Sequence, residues 1–281
     1  MKPVVAIIAP GAMGSAIGWR LSQHGLQVLI TVQGRSAETV ERARAAGMVA
    51  ADPPAMAQAD LFLSVVPPAV AASVAQQFTA CFASYARKPL YVDCNAVNPD
   101  TAARIAAVIR DGGMAYVDGG LIGGPPKRGY EGPILYLSGK RADEVAVLSE
   151  FGLQCRVLHS GDFAASALKM SYAGITKGLT ALASMMIIGA CRGGVGADLR
   201  TELAQSQPML LAWFERQVPS MFSKAHRWVA EMEEIAGFLQ DPQAVAMFRV
   251  IAEFYAHVAG PTAECDVQEL SGFFESKHQS G

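Results

Sequence analysis

Two patterns in the chain have residue types and spacing suited to chemistry. The first is Ala9-Pro10-Gly11-Ala12-Met13-Gly14, set between an apolar run at 4–9 and a stretch of helical composition at 13–24. A glycine at 11 lets the backbone approach phosphates, and one at 14 lets the helix pack close to the strand. The free N–H groups and dipole of the helix N-terminus then attract a pyrophosphate. Gly11, Ala12, Met13 and Gly14 are therefore expected to hold a dinucleotide, with Ala9 in place of the first glycine of the usual fingerprint; the alternative is an incidental glycine turn. The second pattern is Lys169, which shares the otherwise uncharged stretch 163–191 with Lys177 alone. A lysine among apolar residues loses hydration, which lowers its pKa and suits it to pass a proton to or from an alcohol oxygen during hydride transfer. An ammonium that snorkels to the surface or pairs with a carboxylate is the competing reading.

A dinucleotide site needs a group for the adenosine ribose at the end of the second strand. The residues there are Gln33-Gly34-Arg35-Ser36, beginning 22 positions after Gly11. No carboxylate is present to accept from a 2′-hydroxyl or to repel a 2′-phosphate, and Arg35 with Ser36 suits a phosphate through charge-assisted hydrogen bonds. NADP is thus expected in preference to NAD; a solvated loop arginine is the alternative. Other chemistries fail on spacing. His24, His159, His226, His257 and His278 form no HExxH or comparable metal pattern, and no GxSxG elbow occurs, so neither a metal site nor a serine nucleophile is expected. Cys81, Cys94, Cys155, Cys191 and Cys265 are odd in number and unclustered, which argues against a disulfide framework or zinc and for a reducing, cytoplasmic setting.

The elements that must position these residues are legible in the periodicity. Up to about residue 160, apolar runs at 4–9, 27–32, 61–66, 90–93, 114–118, 134–138 and 155–159 alternate with helical stretches at 13–24, 37–46, 70–82, 101–110 and 141–150. Strands that are near-continuously apolar and separated by helices predict a parallel sheet covered on both faces. The fold class expected is α/β: a Rossmann-type doubly wound sheet over residues 1–160, followed by an all-helical domain over 161–281 for substrate and dimerisation, with the active site in the cleft between them. The stretch 163–191 predicts a helix buried nearly all round. Trp228, Met232, Ile235 and Leu239 form one stripe of an amphipathic helix, with Arg227, Glu231 and Glu234 on another face; the glutamates read as a solvated face, and Arg227 and Trp228 as domain-packing residues, the alternative being that they reach a neighbouring subunit's site. The uncharged run 61–86 is long enough for a membrane span but is broken by Pro67-Pro68, so it reads as strand, turn and helix, and no membrane association is expected. The tail 275–281 is expected to fray.

The 281 residues are 51% hydrophobic and only 17% charged, against a usual charged share of about 25%, with a formal net charge of −2. No basic field exists to hold nucleic acid. So few charges over so much apolar content predicts a buried subunit interface, and hence a homodimer.

Further motifs extend the pattern. Val65-Val66-Pro67-Pro68, Asp93-Cys94-Asn95-Ala96-Val97-Asn98-Pro99, the glycine-rich run Asp118-Gly119-Gly120-Leu121-Ile122-Gly123-Gly124-Pro125-Pro126, and the segment Gly161 through Lys169 follow in order. With the first motif they resemble the β-hydroxyacid dehydrogenase superfamily, which includes 3-hydroxyisobutyrate and 6-phosphogluconate dehydrogenases. Ala165-Ser166-Ala167-Leu168-Lys169-Met170 and the segment running from Arg227 through Ala236 resemble the branch with a phosphogluconate-dehydrogenase-type C-terminal domain. The resemblance implies an NAD(P)-dependent oxidoreductase acting on a small molecule, with Lys169 catalytic. It places Val66, Pro67, Pro68 and Asn95 near the nicotinamide, and Leu121, Ile122, Gly123 and Gly124 at the substrate. Ile122 and Ala173 stand where relatives acting on simple hydroxy acids carry serine and asparagine. Tyr172 and Thr176, on the helical face of Lys169, are candidates to replace those hydrogen bonds, and Lys177 is a candidate for a substrate carboxylate or phosphate. Two alternatives follow: imine reduction, against which Lys169 argues, and an NADP-binding sensor without turnover.

Overall fold

The computed structural model describes residues 2–275, so positions 276–281 of the tail expected to fray lie outside the described residues. Eight strands form one sheet: β1 (Val5–Ile8), β2 (Val28–Ile30), β3 (Val49–Ala50), β4 (Leu61–Ser64), β5 (Leu90–Asp93), β6 (Tyr116–Ile122), β7 (Ile134–Ser138) and β8 (Gln154–Val157), in the spatial order β3-β2-β1-β4-β5-β6-β7-β8. Between them lie α1 (Ala12–Gln23), α2 (Ala37–Ala45), α3 (Pro53–Ala57), α4 (Pro68–Phe82), α5 (Pro99–Asp111) and α6 (Ala142–Ala146). Among the described residues after β8 the regular elements are helical: α7 (Ala164–Arg192), α8 (Gly196–Ser206), α9 (Pro208–Met221), α10 (Ala225–Phe238), α11 (Pro242–Val258) and α12 (Glu264–Glu275). The chain divides into two compact units, Met1–Met170 and Ser171–Gly281, with α7 beginning in the first and ending in the second.

The apolar strands are explained by a sheet with two covered faces. Val5 and Ile7 pack with Ile17 and Leu21 of α1 on one side. Ala6 and Ile8 join Phe62, Phe78, Tyr91 and Ile105 on the other. Alternate residues of one strand thus enter different cores, and neither set can be polar. Chain order reverses at β1, which pairs in parallel with both β2 and β4, so the loops at the carboxyl ends of β1 and β4 border the crevice where doubly wound sheets bind ligands.

Three departures from the sequence reading have physical causes. The sheet is not wholly parallel, because β7 runs antiparallel to β6. Residues 123–133 that join them contain no helix, and a parallel return needs a crossover of about a dozen residues or more, usually helical. A short edge strand, β3, and the helix α3 were not anticipated. Both residues of β3 are exposed, so no burial pattern marks it, whereas α3 carries a local signal in Asp52-Pro53-Pro54: the Asp52 carboxylate accepts from the Ala55 N–H at 2.9 Å and proline opens the first turn.

The third departure is α7. It was expected to be buried all round, yet Tyr172, Ile175, Leu179, Leu182 and Met186 form an exposed apolar stripe, with Ile175 at 65% and Met186 at 62% of full exposure. The composition is apolar on every face, but the single chain covers only some of them. α7 is also long and apolar enough to cross a membrane by length and composition. Its first turns are nevertheless tied into the first unit by the hydrogen bonds described below.

Candidate functional site

The carboxyl end of β1 builds the dinucleotide loop from backbone alone. A Cβ on Gly14 would stand 2.1 Å from the Ala9 carbonyl oxygen, so only glycine lets α1 close on the strand end. A Cβ on Gly11 would meet nothing within 4 Å, so that glycine faces open space. The Ser15 N–H and hydroxyl both donate to the Gly11 carbonyl, at 2.9 and 2.8 Å, fixing the loop against the helix. Ala12 and Met13 open the first turn of α1, where N–H groups have no intrahelical acceptor. This closed contact beside an open cradle fits a pyrophosphate. Sequence reasoning missed Arg42 on α2, whose guanidinium donates to the Pro10 carbonyl at 3.2 Å and to Glu38, bracing the loop from a neighbouring helix.

At the end of β2 a cavity of about 290 Å³ is lined by Gln33, Gly34 and Arg35 and, from α4, by Val74, Gln77 and Phe78. No carboxylate lines it, and Arg35 does. A flat base between the α4 side chains, with a phosphate toward Arg35, fits these residues. Ser36 is engaged differently from the expectation: its hydroxyl caps α2, accepting from the Thr39 N–H at 3.3 Å and donating to the Thr39 Oγ1 at 3.0 Å. A serine ahead of a helix is a strong N-cap, and that local demand uses it.

Across the middle of the sheet, register aligns Ser64 with Asp93, Asp93 with Asp118, and Asp118 with Ser138. All four are buried. This polar row closes β4, β5 and β7 and crosses β6 at Asp118, and a polar residue at the end of three apolar strands is the signal that could have revealed it. Asp93 accepts from the Asn95 N–H at 3.1 Å and the Tyr116 hydroxyl at 3.2 Å. Burial pushes its carboxyl up to about 7, with the Asp118 charge adding to the shift and the Asn95 hydrogen bond opposing it. Asn95 in turn is a clamp: its side-chain oxygen accepts from the Val66 N–H at 2.7 Å and its NH₂ donates to the Ser64 hydroxyl at 3.0 Å. It thereby holds the β4 loop, in which Pro67 and Pro68 start α4.

Asp118 performs the corresponding service for α7. Its carboxylate accepts from the Ser166 N–H at 2.9 Å, the Ser166 hydroxyl at 2.5 Å and the Ser138 hydroxyl at 2.9 Å, while Ser138 Oγ accepts from the Ala165 N–H at 3.0 Å. Two otherwise orphaned N–H groups of the first turn of α7 are thus satisfied from β6 and β7. Burial still raises the Asp118 carboxyl above its ordinary range. One turn further along α7, Lys169 donates through Nζ to the Leu121 carbonyl at 2.6 Å. The close approach needs Gly120, where a Cβ would lie 2.7 Å from the Ala165 carbonyl oxygen.

The run expected at the substrate is partly strand. Leu121 and Ile122 finish β6, and only Gly123 and Gly124 leave it. Gly123 has φ +132°, and a Cβ there would lie 2.8 Å from Pro133 Cα and 3.1 Å from the Tyr130 hydroxyl.

The first unit thus brings together the loop at Gly11, the Arg35 cavity, the Asn95 clamp and Lys169. Tyr172, Thr176 and Lys177 fall in the second unit. Tyr172 is half exposed. The Thr176 hydroxyl donates to the Tyr172 carbonyl of its own helix at 2.9 Å, a local bond that a threonine within a helix readily makes. Lys177 pairs with Glu231 and lies 5.1 Å above the Trp228 ring.

Comparison with known proteins agrees with this construction. Residues 4–151 match the NAD binding domain of 6-phosphogluconate dehydrogenase, and residues 190–258 match a domain of unknown function. The chain is 29% identical over 238 residues to an uncharacterized 28.5 kDa protein of Methanothermus fervidus, covering 84% of this chain and 90% of the relative. The fold is similar to that of MTH1747, a conserved protein of unknown function described as structurally similar to 3-hydroxyacid dehydrogenases. That likeness has a TM-score of 0.67 at 24% identity and covers 91% of this chain and 99% of the other. Mycobacterium tuberculosis 3-hydroxyisobutyrate dehydrogenase shares the fold at a TM-score of 0.71 and 17% identity, over 96% and 99% of the two chains. With the glycine cradle in place and more than half of its length matched, the chain belongs to the family of the NAD binding domain of 6-phosphogluconate dehydrogenase.

Proposed function

We propose that this protein is an NADP-dependent oxidoreductase that interconverts a small hydroxy acid and its carbonyl form, with Lys169 relaying the proton. The observation that carries the reading is the Lys169 ammonium, held 2.6 Å from the Leu121 carbonyl at the carboxyl end of β6, in the unit that also bears the dinucleotide loop. Strands β1, β4, β5 and β6 are mutually parallel in that spatial order, so their carboxyl ends share one edge. The nicotinamide, when bound, supplies or accepts the hydride. The chain's share is to hold and orient: Gly11, Ala12 and Met13 receive the pyrophosphate, Arg35 neutralises a 2′-phosphate, and Asn95 fixes the Val66 backbone. Lys169 then gives a proton to, or takes one from, the substrate oxygen, its nitrogen positioned by the Leu121 carbonyl and by the Asp118 cap on its own helix. Ile122 in place of a serine favours a substrate less polar than 3-hydroxyisobutyrate.

The exposed stripe from Tyr172 to Met186 supports a homodimer, and five unpaired cysteines suit a reducing compartment such as the cytoplasm.

Single-turnover oxidation of NADPH with a panel of aldehydes, keto acids and imines identifies the substrate class. With an active substrate, Lys169→Ala is expected to lower the rate by about 10² to 10⁴ while leaving cofactor binding nearly intact. Lys169→Arg should not restore it, because a guanidinium stays protonated. A folded Lys169→Ala protein within about threefold of the parent rate would remove the lysine from the mechanism, since a positioned acid or base is worth far more. Cofactor binding without turnover on any arm would favour the sensor reading.

A further inference from the structure

Residues 123–133, which join β6 to β7, are held by contacts of their own. The Lys127 N–H donates to the Tyr130 carbonyl at 3.0 Å and the Tyr130 N–H to the Lys127 carbonyl at 2.9 Å, closing a tight turn through Arg128 and Gly129. Pro126 is buried, and a Cβ on Gly132 would lie 2.8 Å from the Pro126 Cβ, so the two limbs of the loop touch. The Gln154 side-chain NH₂ donates to the Glu131 carboxylate at 2.6 Å and ties the loop to β8. The turn brings Tyr130 back over the start of the loop. A Cβ on Gly123 would stand 3.1 Å from the Tyr130 hydroxyl oxygen, and one on Gly124 would stand 3.9 Å from the Tyr130 Cε1.

The phenol is thus held at the carboxyl end of β6, the same strand end at which the Leu121 carbonyl accepts from Lys169 Nζ at 2.6 Å. Leu121 and Gly123 are two residues apart, about 7 Å of extended chain, a span that one small molecule covers. Tyr130 is 42% exposed, and among the described residues its hydroxyl makes no hydrogen bond. The loop is pinned at its turn, at Pro126 and at Glu131, and the polar tip that it carries is left open. Tyrosine offers a flat apolar body and a terminal donor with only two side-chain torsions to fix, which suits recognition of a small molecule. A hydroxy acid has two oxygen-bearing groups, the one that reacts and the carboxylate. Lys169 addresses the first. Ile122 has no hydroxyl for the second, and the Tyr130 hydroxyl stands beside the next residue, Gly123.

We propose that Tyr130 is a substrate-binding residue of this site, its hydroxyl donating to the substrate carboxylate and so selecting acids over neutral carbonyl compounds. The assignment rests on the hydroxy-acid reading of the same site and adds the group that recognises the acid.

The test is steady-state reduction by NADPH of two pairs of compounds in which a methyl group replaces the carboxylate, 3-oxopropanoate with propanal and pyruvate with acetone, using the parent, Tyr130→Phe and Lys169→Ala. The parent is expected to prefer an acid to its neutral counterpart. Tyr130→Phe should raise KM for that acid about tenfold or more, the worth of one hydrogen bond to a charged group, with kcat within about twofold and the neutral compound unaffected. A tyrosine that only shaped the loop would move both compounds alike. The hydroxyl has no partner to lose, so Tyr130→Phe should melt with the parent. Tyr130→Phe kinetics equal to the parent's, beside an inactive Lys169→Ala, would overturn the tyrosine assignment and leave the hydride-transfer reading standing. A Lys169→Ala protein that keeps the parent's rate, beside a Tyr130→Phe protein that loses the acid, would do the reverse. If none of the four compounds turns over, calorimetric titration of 3-hydroxypropanoate and of lactate into the NADP-loaded chain decides. Weaker binding to Tyr130→Phe supports the assignment, whereas no saturable binding to the parent, or equal binding to both proteins, overturns it.

Discussion

Asp93→Asn isolates the energetic cost of the buried polar row. Asp93 is 1% exposed at the end of β5, and its carboxyl is pushed up to about 7, mainly by burial. In the unfolded chain the same group titrates near 3.9, so the difference is about three units, or roughly 4 kcal/mol at about 1.4 kcal/mol per unit. The folded state keeps a proton that the unfolded state releases. The stability contributed by Asp93 is therefore fully present below about pH 4 and is lost as the pH rises through about 7. Asparagine has nearly the same shape and no charge. Its oxygen can still accept from the Asn95 N–H, and its NH₂ can donate to the Tyr116 oxygen, so both contacts now at 3.1 and 3.2 Å persist while the Tyr116 O–H gives up its acceptor, which offsets part of the gain. Asp93→Asn is thus expected to be more stable than the parent by about 2 to 4 kcal/mol at pH 8 and within about 1 kcal/mol of it near pH 4.5. Urea unfolding followed by circular dichroism at four pH values between these limits measures the difference directly. A stability difference that does not change with pH, or a variant less stable at pH 8, would refute the reasoning, because the ionised carboxylate would then be adequately solvated by its hydrogen bonds.

The other expectations concern the cofactor and assembly. Gly14→Ala places a methyl group 2.1 Å from the Ala9 carbonyl oxygen and should cost about 1 to 3 kcal/mol in thermal unfolding while weakening NADPH and NADH alike. Arg35→Ala should weaken NADPH by about tenfold and leave NADH nearly unchanged, as read by fluorescence titration of each cofactor; equal losses would remove the 2′-phosphate assignment. Light scattering at micromolar concentration should give a dimer, and Ile175→Glu with Met186→Glu, both on the exposed stripe of α7, should shift it to monomer. A monomeric parent would count against the interface.

Much of the first unit was readable because its signals are local. Near-continuous apolar runs such as 61–66 and 90–93 mark strands buried on both faces. Gly14 between a strand and a helix marks a close strand–helix approach, and Lys169 in an apolar helix marks a group whose charge needs a reason. Each follows from periodicity or from one residue's chemistry, so spacing along the chain suffices. The antiparallel turn of β7, the Ser64-Asp93-Asp118-Ser138 row and the grip of Asp118 on Ser166 were settled only by tertiary structure. They depend on which strands become neighbours and in what register, and a hydrogen bond across 48 residues leaves no periodic trace. The same holds for Ser36, Asn95 and Thr176, whose polar atoms suggest ligand contacts in the sequence but are taken up by the Thr39 N–H, the Val66 N–H and the Tyr172 carbonyl. Composition makes α7 apolar on every side, but only packing determines that Ala173 is covered while Ile175 and Met186 face outward, because burial depends on what lies opposite a side chain as well as on what the side chain is.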